Sequence, residues 1–350
     1  MHFDGEPIQM KISQTEILFD KGTAEFFKAN ENLYFEAALY NRENDNITHG
    51  TSEHDTVINR MLSEYKHFED VKNLFTSLVL CAIAHMGACD LVAVRKYIKL
   101  VYEYSDLDSR LVRLIENTDN ARNAAKKLLS AGLIIKHNFK ILDTEDQKRA
   151  TTIYVPTATG VDIVRSIYQK KVTKERNIAL LSPKRLAGKA CTNLIALETA
   201  LNIDTNKVSY SEGRFTTPLS GELYTDCRIK ASDENGNLDN IGFISLYMDF
   251  IEGFHTEGNI LSYYSKLIEI CKQYKHRFGN NGNTARLVFV FPDKDALIEF
   301  AKYLVTKAEE LLSIIYFTNE LAYRENFIEP FLQLVQNDNG SYEFTKCKVV

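Results

Sequence analysis

The sequence predicts a mixed α+β protein, and three observations support this class. Apolar residues recur with helical spacing from Val71 to Gly132, two strand-like segments follow, and helical and strand patterns alternate beyond residue 176. No apolar run approaches the ~18–20 residues of a membrane span, and the first residues lack the pattern of a signal peptide. We therefore expect a cytoplasmic globular protein with two folded domains behind an N-terminal segment.

Charge divides the 350-residue chain into three segments. Residues 1–70 carry 6 Lys and Arg against 14 Asp and Glu, residues 71–176 carry 18 against 11, and residues 177–350 carry 18 against 22. The net charges are therefore −8, +7 and −4. Positive charge in the middle segment is expected if binding depends on contacts to phosphates. The acidic first segment shows little pattern, although its polar stretch NRENDNITHGTSEHD predicts a loop.

The middle segment predicts four consecutive helices. The first runs from Val71 to before Gly87, Asp90 can cap the second, and SDLDSRLVRLIEN predicts the third. The fourth begins within the stretch Asn117, Thr118, Asp119 and Asn120, whose short polar side chains favour an N-cap, and it ends at a glycine C-cap. Its small and apolar residues recur at positions 121, 124, 125, 128 and 129, which places them on one buried face.

The opposite face of the fourth helix is polar and mostly basic. It carries the candidate DNA-binding residues Arg122, Asn123, Lys126, Lys127 and Ser130. Next come the strand LIIKHNFKIL, the loop DTEDQKRA, the strand TTIYV and a helix after Pro156. This hairpin adds the candidates Lys136, Lys140, Lys148 and Arg149. The order of elements predicts a winged helix-turn-helix domain over residues 71–176, which we expect to bind double-stranded DNA by itself.

Residues 177–350 predict a mixed α/β domain with the element order α-β-β-β-α-β-α-β. The three central strands are KVSYSEGRFT, ELYTDCRIKA and IGFISLYMDFI, and a final helix is expected at NFIEPFLQLV. The core of the restriction-endonuclease-like fold has this order of elements.

Metal-dependent nucleases of this fold need strand-end carboxylates and usually a lysine that assists the attacking water. Asp226 and Asp249 are candidates for the carboxylates, with Glu252 as a further ligand. The usual lysine position holds Ile251, and Lys230 or Lys266 would have to reach in from elsewhere. We therefore expect the fold without catalysis, without a metal and without a cofactor. The six cysteines form no CxxC pair, which indicates reduced thiols instead of a zinc site.

Several motifs resemble the replication-relaxation family of plasmids and other mobile elements. They are NARNAAKKLLSAGLI and YVPTATG in the first half, and Asp226 in LYTDCRIK, Asp249 in LYMDFIEG, and Lys266 with Tyr274 in the second. The resemblance covers about residues 75–320. It implies a DNA-binding protein that acts in replication, transfer or transcription control.

Two other classes of function stay open at this point. One is a Mg²⁺-dependent nuclease or nicking accessory that uses Asp226 and Asp249, and the other is a protein-interaction adaptor whose winged helix docks a partner. A basic helix face is also often simply solvated. A protein partner from the replication or transfer machinery and a homodimer are both compatible with the sequence, which does not define the DNA site.

Overall fold

The computed structural model of the protein confirms the mixed α+β class. It describes residues 17–19, 34–35, 41–43, 71–102, 109–142, 148–168, 183–203, 208–217, 221–233, 236–246, 257–280, 282–292, 294–319, 323 and 329–348. These residues form eight α-helices, one 3₁₀ helix and two β-sheets. None of the helices in the described ranges is long and apolar enough to cross a membrane.

Four helices, a β-hairpin and a fifth helix make up the first unit. They are α1 (Val71–Met86), α2 (Leu91–Tyr102), α3 (Ser109–Glu116), α4 (Thr118–Ser130), β4 (Ile134–Leu142), β5 (Lys148–Pro156) and α5 (Ala158–Tyr168). Local signals explain the helix starts, since the Asp90 carboxylate accepts a hydrogen bond from the Ala93 amide at 2.7 Å. Strand β5 begins earlier than predicted because its pairing with β4 continues to Leu142 opposite Lys148.

The second unit follows the predicted element order as far as its fifth strand. Its elements are α6 (Pro183–Asn202), β6 (Val208–Thr217), β7 (Gly221–Ser232), β8 (Leu238–Ser245), α7 (Glu257–Phe278), β9 (Thr284–Val290), α8 (Lys294–Ala308), the 3₁₀ helix Glu309–Ile314 and β10 (Ile315–Thr318). The predicted final helix NFIEPFLQLV is wrong. The chain forms β11 (Phe331–Gln336) there, followed by β12 (Tyr342–Cys347), because both strands complete a ladder with each other.

Three short strands lie before residue 71, one of them in the large sheet and two in the small sheet. Strand β1 (Ile17–Phe19) pairs in parallel with β12 and ends the eight-stranded sheet, whose order is β1-β12-β11-β10-β9-β8-β7-β6. Strands β2 (Tyr34–Phe35) and β3 (Asn41–Glu43) both pair with β4. The loop predicted from residue 41 therefore begins with a strand, since β4 offers it a partner. Strand β4 lies between these two strands and β5.

The large sheet is covered by helices on both faces. Val288 of β9 belongs to the buried cluster that includes α6, whereas Phe289 belongs to the cluster that includes α7 and α8. On the second face the Phe289 and Phe300 rings lie 4.8 Å apart, and Phe317 continues the aromatic packing. Alternation along each strand thus provides two apolar faces, as expected for a sheet buried on both sides.

One buried apolar cluster crosses the boundary at residue 176. It contains Leu80 of α1 and Ile98 of α2 together with Ile195 of α6 and Ile229 of β7. Because the two units share this cluster, measurements of function are best made on the whole chain.

The six cysteines are free thiols, five of them buried, which confirms the expectation of reduced cysteines.

A buried asparagine fastens the two units to each other. The Asn193 amide nitrogen donates to the carbonyl oxygens of Met86, at 2.9 Å, and Ala88, at 2.8 Å. Its oxygen accepts a hydrogen bond of 2.8 Å from the Tyr210 hydroxyl on β6. Asn193 is fully buried, so these bonds satisfy the carbonyls that the end of α1 leaves without helical partners.

Candidate nucleic-acid interface

Helix α4 has one buried face made of small side chains. Its buried residues are Ala121, Ala124, Ala125 and Leu128. The Asn117 side chain accepts a hydrogen bond from the Asp119 amide at 2.9 Å, which caps the helix start as predicted. The chain leaves the helix through Gly132, whose φ of 68° favours glycine. Short side chains allow α4 to pack closely against α1 while its other face stays in solvent.

The five predicted α4 residues all lie on the exposed face. These residues are Arg122, Asn123, Lys126, Lys127 and Ser130. Arg122 forms an ion pair with Asp119, with 2.8 Å between Nη1 and Oδ1, and the Ser130 hydroxyl donates to the Lys126 carbonyl at 3.0 Å. Both partners of the ion pair are more than half exposed, so the pair contributes little and is easily exchanged for another partner. Among the described residues, Lys126 and Lys127 form no ion pair.

The four predicted hairpin residues lie on β4 and β5. Lys136 is half-buried near the base of the hairpin and stands opposite Tyr154. Lys140 stands opposite Ala150, and Arg149 and Lys148 pair with the last two residues of β4. The latter three residues are therefore near the hairpin tip. The connecting residues 143–147 lie outside the described part of the chain.

An arginine on α2 holds the turn between α3 and α4. The Arg95 guanidinium donates to the carbonyl oxygens of Ile115 at 2.7 Å and Glu116 at 2.6 Å, and to the Thr118 hydroxyl at 2.8 Å. These bonds satisfy the end of α3 and fix the start of α4. Arg95 has no local sequence signal for this role, because its partners are 20 to 23 residues away.

The start of α5 fastens the hairpin to the end of α4. The Thr157 amide donates to the Leu133 carbonyl at 3.0 Å, and its hydroxyl donates to the Gly132 carbonyl at 2.9 Å. The same hydroxyl accepts a hydrogen bond from the Gly160 amide at 3.1 Å, which caps α5. A Cβ atom at Gly160 would lie 2.2 Å from the Leu133 oxygen. Glycine at this position therefore allows the close approach that orients the hairpin relative to α4.

Asp226, the first nuclease candidate, is a half-buried residue of β7. Its Oδ2 accepts a hydrogen bond of 2.6 Å from the Ser245 amide, and its Oδ1 lies 3.9 Å from the Lys189 ammonium nitrogen. Burial, followed by the negative charge of Asp226, raises the pKa of Tyr263 to about 12, and Arg185 opposes this rise. No local sequence signal connects Lys189 with Asp226, because Lys189 lies on α6, 37 positions earlier in the chain.

The other nuclease candidates are not brought to Asp226 within the described residues. Asp249, Ile251 and Glu252 lie outside those residues. Lys266 is exposed on α7, and Tyr274 on the same helix is fully buried, so the structure places them in different environments. The described ranges contain no group of three or more His, Cys, Asp and Glu side chains suited to a metal ion.

No model of a known protein family matches this sequence. A search of curated proteins likewise finds no similar sequence. The resemblance to the replication-relaxation family, and the roles that it implies for Asp226, Lys266 and Tyr274, therefore stay predictions.

Proposed function

We propose that this chain is a sequence-selective double-stranded DNA-binding protein. In this proposal α1 to α5 and the β4–β5 hairpin form a winged helix-turn-helix unit, and α4 enters the major groove. The main support for this proposal is the division of α4 into two faces. One face is buried and made of small residues, and the other is exposed and carries three cations, Asn123 and Ser130. A groove-binding helix needs such a face, because long cations contact phosphates and amides contact base edges.

The second unit supports the proposed binding without performing chemistry. We propose that it is an endonuclease-like domain whose Asp226 is held by Ser245 and Lys189 as a structural ion pair. On the sequence resemblance, the biological setting is a bacterial plasmid or mobile element, with a role in replication, transfer or transcription control. The net negative charge of residues 1–70 and 177–350 weakens non-specific binding, so sequence preference depends on α4.

We expect different effects from substitutions on α4 and on the hairpin. Arg122→Ala and Asn123→Ala should weaken binding to the preferred site by about 1–3 kcal/mol and affect random DNA much less. Alanine at Lys140, Lys148 or Arg149 should weaken binding to all sequences alike and lower the salt slope by about 1 each. Fluorescence anisotropy measures both effects in the whole protein, using fragments of its own upstream DNA and random DNA at about 50 and about 200 mM salt.

Two variants serve as matched controls for that experiment. Asp119→Asn removes the carboxylate that engages Arg122 and should leave affinity unchanged or raise it, since one negative charge leaves the interface. Lys307→Ala removes an exposed cation on α8 and should leave binding unchanged. Equal losses on preferred and random DNA for Arg122→Ala and Asn123→Ala would reject these two residues as base-contacting groups. Binding by the whole chain that does not depend on salt would reject the proposal itself.

A metal-dependent nuclease is the second candidate function, because Lys189 places an ammonium group near the Asp226 carboxylate. We nevertheless expect no cleavage. Lys189 lies 3.9 Å from one Asp226 oxygen and the Ser245 amide donates to the other, so we propose that the two side chains serve as an ion pair and not in the activation of water. General acid–base assistance, about 10²–10⁴ in rate, is then lost.

Incubation with Mg²⁺ or Mn²⁺ and supercoiled, linear or single-stranded DNA tests this expectation. Asp226→Ala should leave DNA binding intact, with no cleavage by either protein. Cleavage that disappears in both Asp226→Ala and Lys189→Gln would establish the nuclease. The remaining alternative, a protein-interaction adaptor, predicts that the exposed α4 residues affect the binding of a protein and not of DNA.

A further inference from the structure

A second group of cations gathers on the large sheet, away from α4 and beyond Asp226 on the same strand. Arg228 and Lys230 are two residues apart on β7 and so point to the same face of the sheet. Helix α7 covers part of this face, and its last turn contributes Arg277 and Phe278. The Arg228 guanidinium carbon lies 4.6 Å from the centre of the Phe278 ring, which anchors the arginine by a cation–π contact.

Among the described residues, no carboxylate forms an ion pair with Arg228, Lys230 or Arg277. The Arg228 Nε donates to the Ser211 hydroxyl in a long hydrogen bond of 3.4 Å. Burial lowers the pKa of Arg228; Tyr274 opposes this effect, and the positive charge of Arg277 adds to it. Burial and the charge of Arg228 lower the pKa of Lys230. The cations therefore repel each other in a partly desolvated position, which an anion would relieve.

A buried hydroxyl without a partner lies beside these cations. Tyr274 is fully buried, and its hydroxyl has no hydrogen-bond partner among the described residues. Its ring is 4.7 Å from the Phe278 ring and 5.5 Å from the Phe215 ring. A Cβ atom at Gly242 would lie only 3.0 Å from the tyrosine ring, so packing alone holds the ring in place. An unpaired buried hydroxyl destabilises the folded state, and a ligand oxygen that accepts its hydrogen bond would recover that free energy.

We propose that Arg228, Lys230 and Arg277 form a binding site for a phosphate group, to which Tyr274 contributes a further hydrogen-bond donor. Arginine suits this ligand because its planar guanidinium donates two parallel hydrogen bonds to phosphate oxygens. The phosphate belongs either to a small molecule, such as a nucleotide, or to a nucleic-acid backbone. The site does not depend on the function proposed for α4, since it uses none of the same residues.

Isothermal titration of the whole protein with inorganic phosphate tests the site. We expect saturable binding that weakens at least tenfold in the double variant Arg228→Gln/Lys230→Gln. The matched control is Lys272→Gln/Lys307→Gln, which removes two exposed cations from α7 and α8 of the same unit, and this variant should bind phosphate as the unchanged protein does. Titration with a mononucleotide and with a single-stranded oligonucleotide then distinguishes the two sources by which binds more tightly per phosphate.

Because Arg228 packs on Phe278, substituting it also removes a packing contact, and a second variant therefore leaves Arg228 unchanged. Lys230→Gln/Arg277→Gln changes a half-buried and an exposed side chain, and it should weaken phosphate binding by a similar factor while retaining the unfolding midpoint. Absence of saturable phosphate binding by the unchanged protein would overturn the proposal. Equally weakened phosphate binding in the control variant would also overturn the proposal, because it would show that overall charge explains the loss.

Discussion

Asn193→Ala is expected to destabilise the protein by about 4 kcal/mol. The substitution leaves the carbonyls of Met86 and Ala88 without their partner and removes one of the two partners of the Tyr210 hydroxyl, the other being Cys227. Each unsatisfied buried group costs about 1–3 kcal/mol, and water cannot easily replace a fully buried side chain. Urea unfolding of the whole chain, followed by circular dichroism, measures the loss.

The neighbouring Thr192 provides the matched control for Asn193. It is also fully buried, but its hydroxyl has no hydrogen-bond partner among the described residues. Thr192→Val should therefore leave the free energy of unfolding unchanged or raise it, since it removes an unsatisfied polar atom at nearly constant volume. Similar losses for the two substitutions would show that packing, and not the hydrogen bonds of Asn193, connects the two units.

Gly160→Ala is expected to destabilise the protein by about 3 kcal/mol or more. The added carbon would lie 2.2 Å from the Leu133 carbonyl oxygen, well inside van der Waals contact. That oxygen accepts a hydrogen bond from the Thr157 amide and cannot move without breaking it. The hairpin base would have to shift relative to α4, so we also expect weaker binding to the preferred DNA site. Thermal unfolding and anisotropy on the same sample measure both losses.

Gly340→Ala separates the effect of a clash from the effect of losing a glycine. Gly340 has φ of 80° and an added Cβ there would meet no atom within 4 Å. Its replacement should cost about 1–2 kcal/mol through backbone conformation alone. If Gly160→Ala costs no more than Gly340→Ala, the contact between α5 and the hairpin base is not as rigid as the geometry indicates.

The helices of the first unit were predictable because their signals are local. Asp90 and Asn117 cap the helices that follow them, and Gly132 ends α4 with a positive φ. Each signal lies within a few residues of the boundary that it marks. The same holds for the division of α4 into a buried and an exposed face, which follows directly from the 3.6-residue period.

The error at residues 326–335 has an equally physical cause. Phe331, Leu332 and Leu334 are buried, and their spacing fits a helix as well as a strand. The ladder with β12 decides between the two, and it depends on residues up to Cys347. The useful signal was Asn339-Gly340 between the strands, which is typical of a tight hairpin turn.

The contacts that build the candidate sites could not be predicted from local sequence signals, because they join residues that are distant in sequence. Arg95 holds a turn 20 residues away, Lys189 meets Asp226 from another helix, and Asn193 reaches Ala88 across 105 residues. Single-sequence patterns report periodicity and caps but not which distant side chains meet. The exposed residues of α4 were therefore predictable, whereas the groups that position them were not.

The pairing of β1 with β12 has a consequence for how the protein is made. Ile17 pairs with Tyr342, so 325 residues (342 minus 17) separate the two partners along the chain. The outer edge of the large sheet therefore closes only after that whole stretch has been synthesised, and contacts of such high sequence separation form slowly. Until β12 emerges from the ribosome, β1 lacks the strand that it pairs with in the folded sheet, and an unpaired apolar strand favours aggregation.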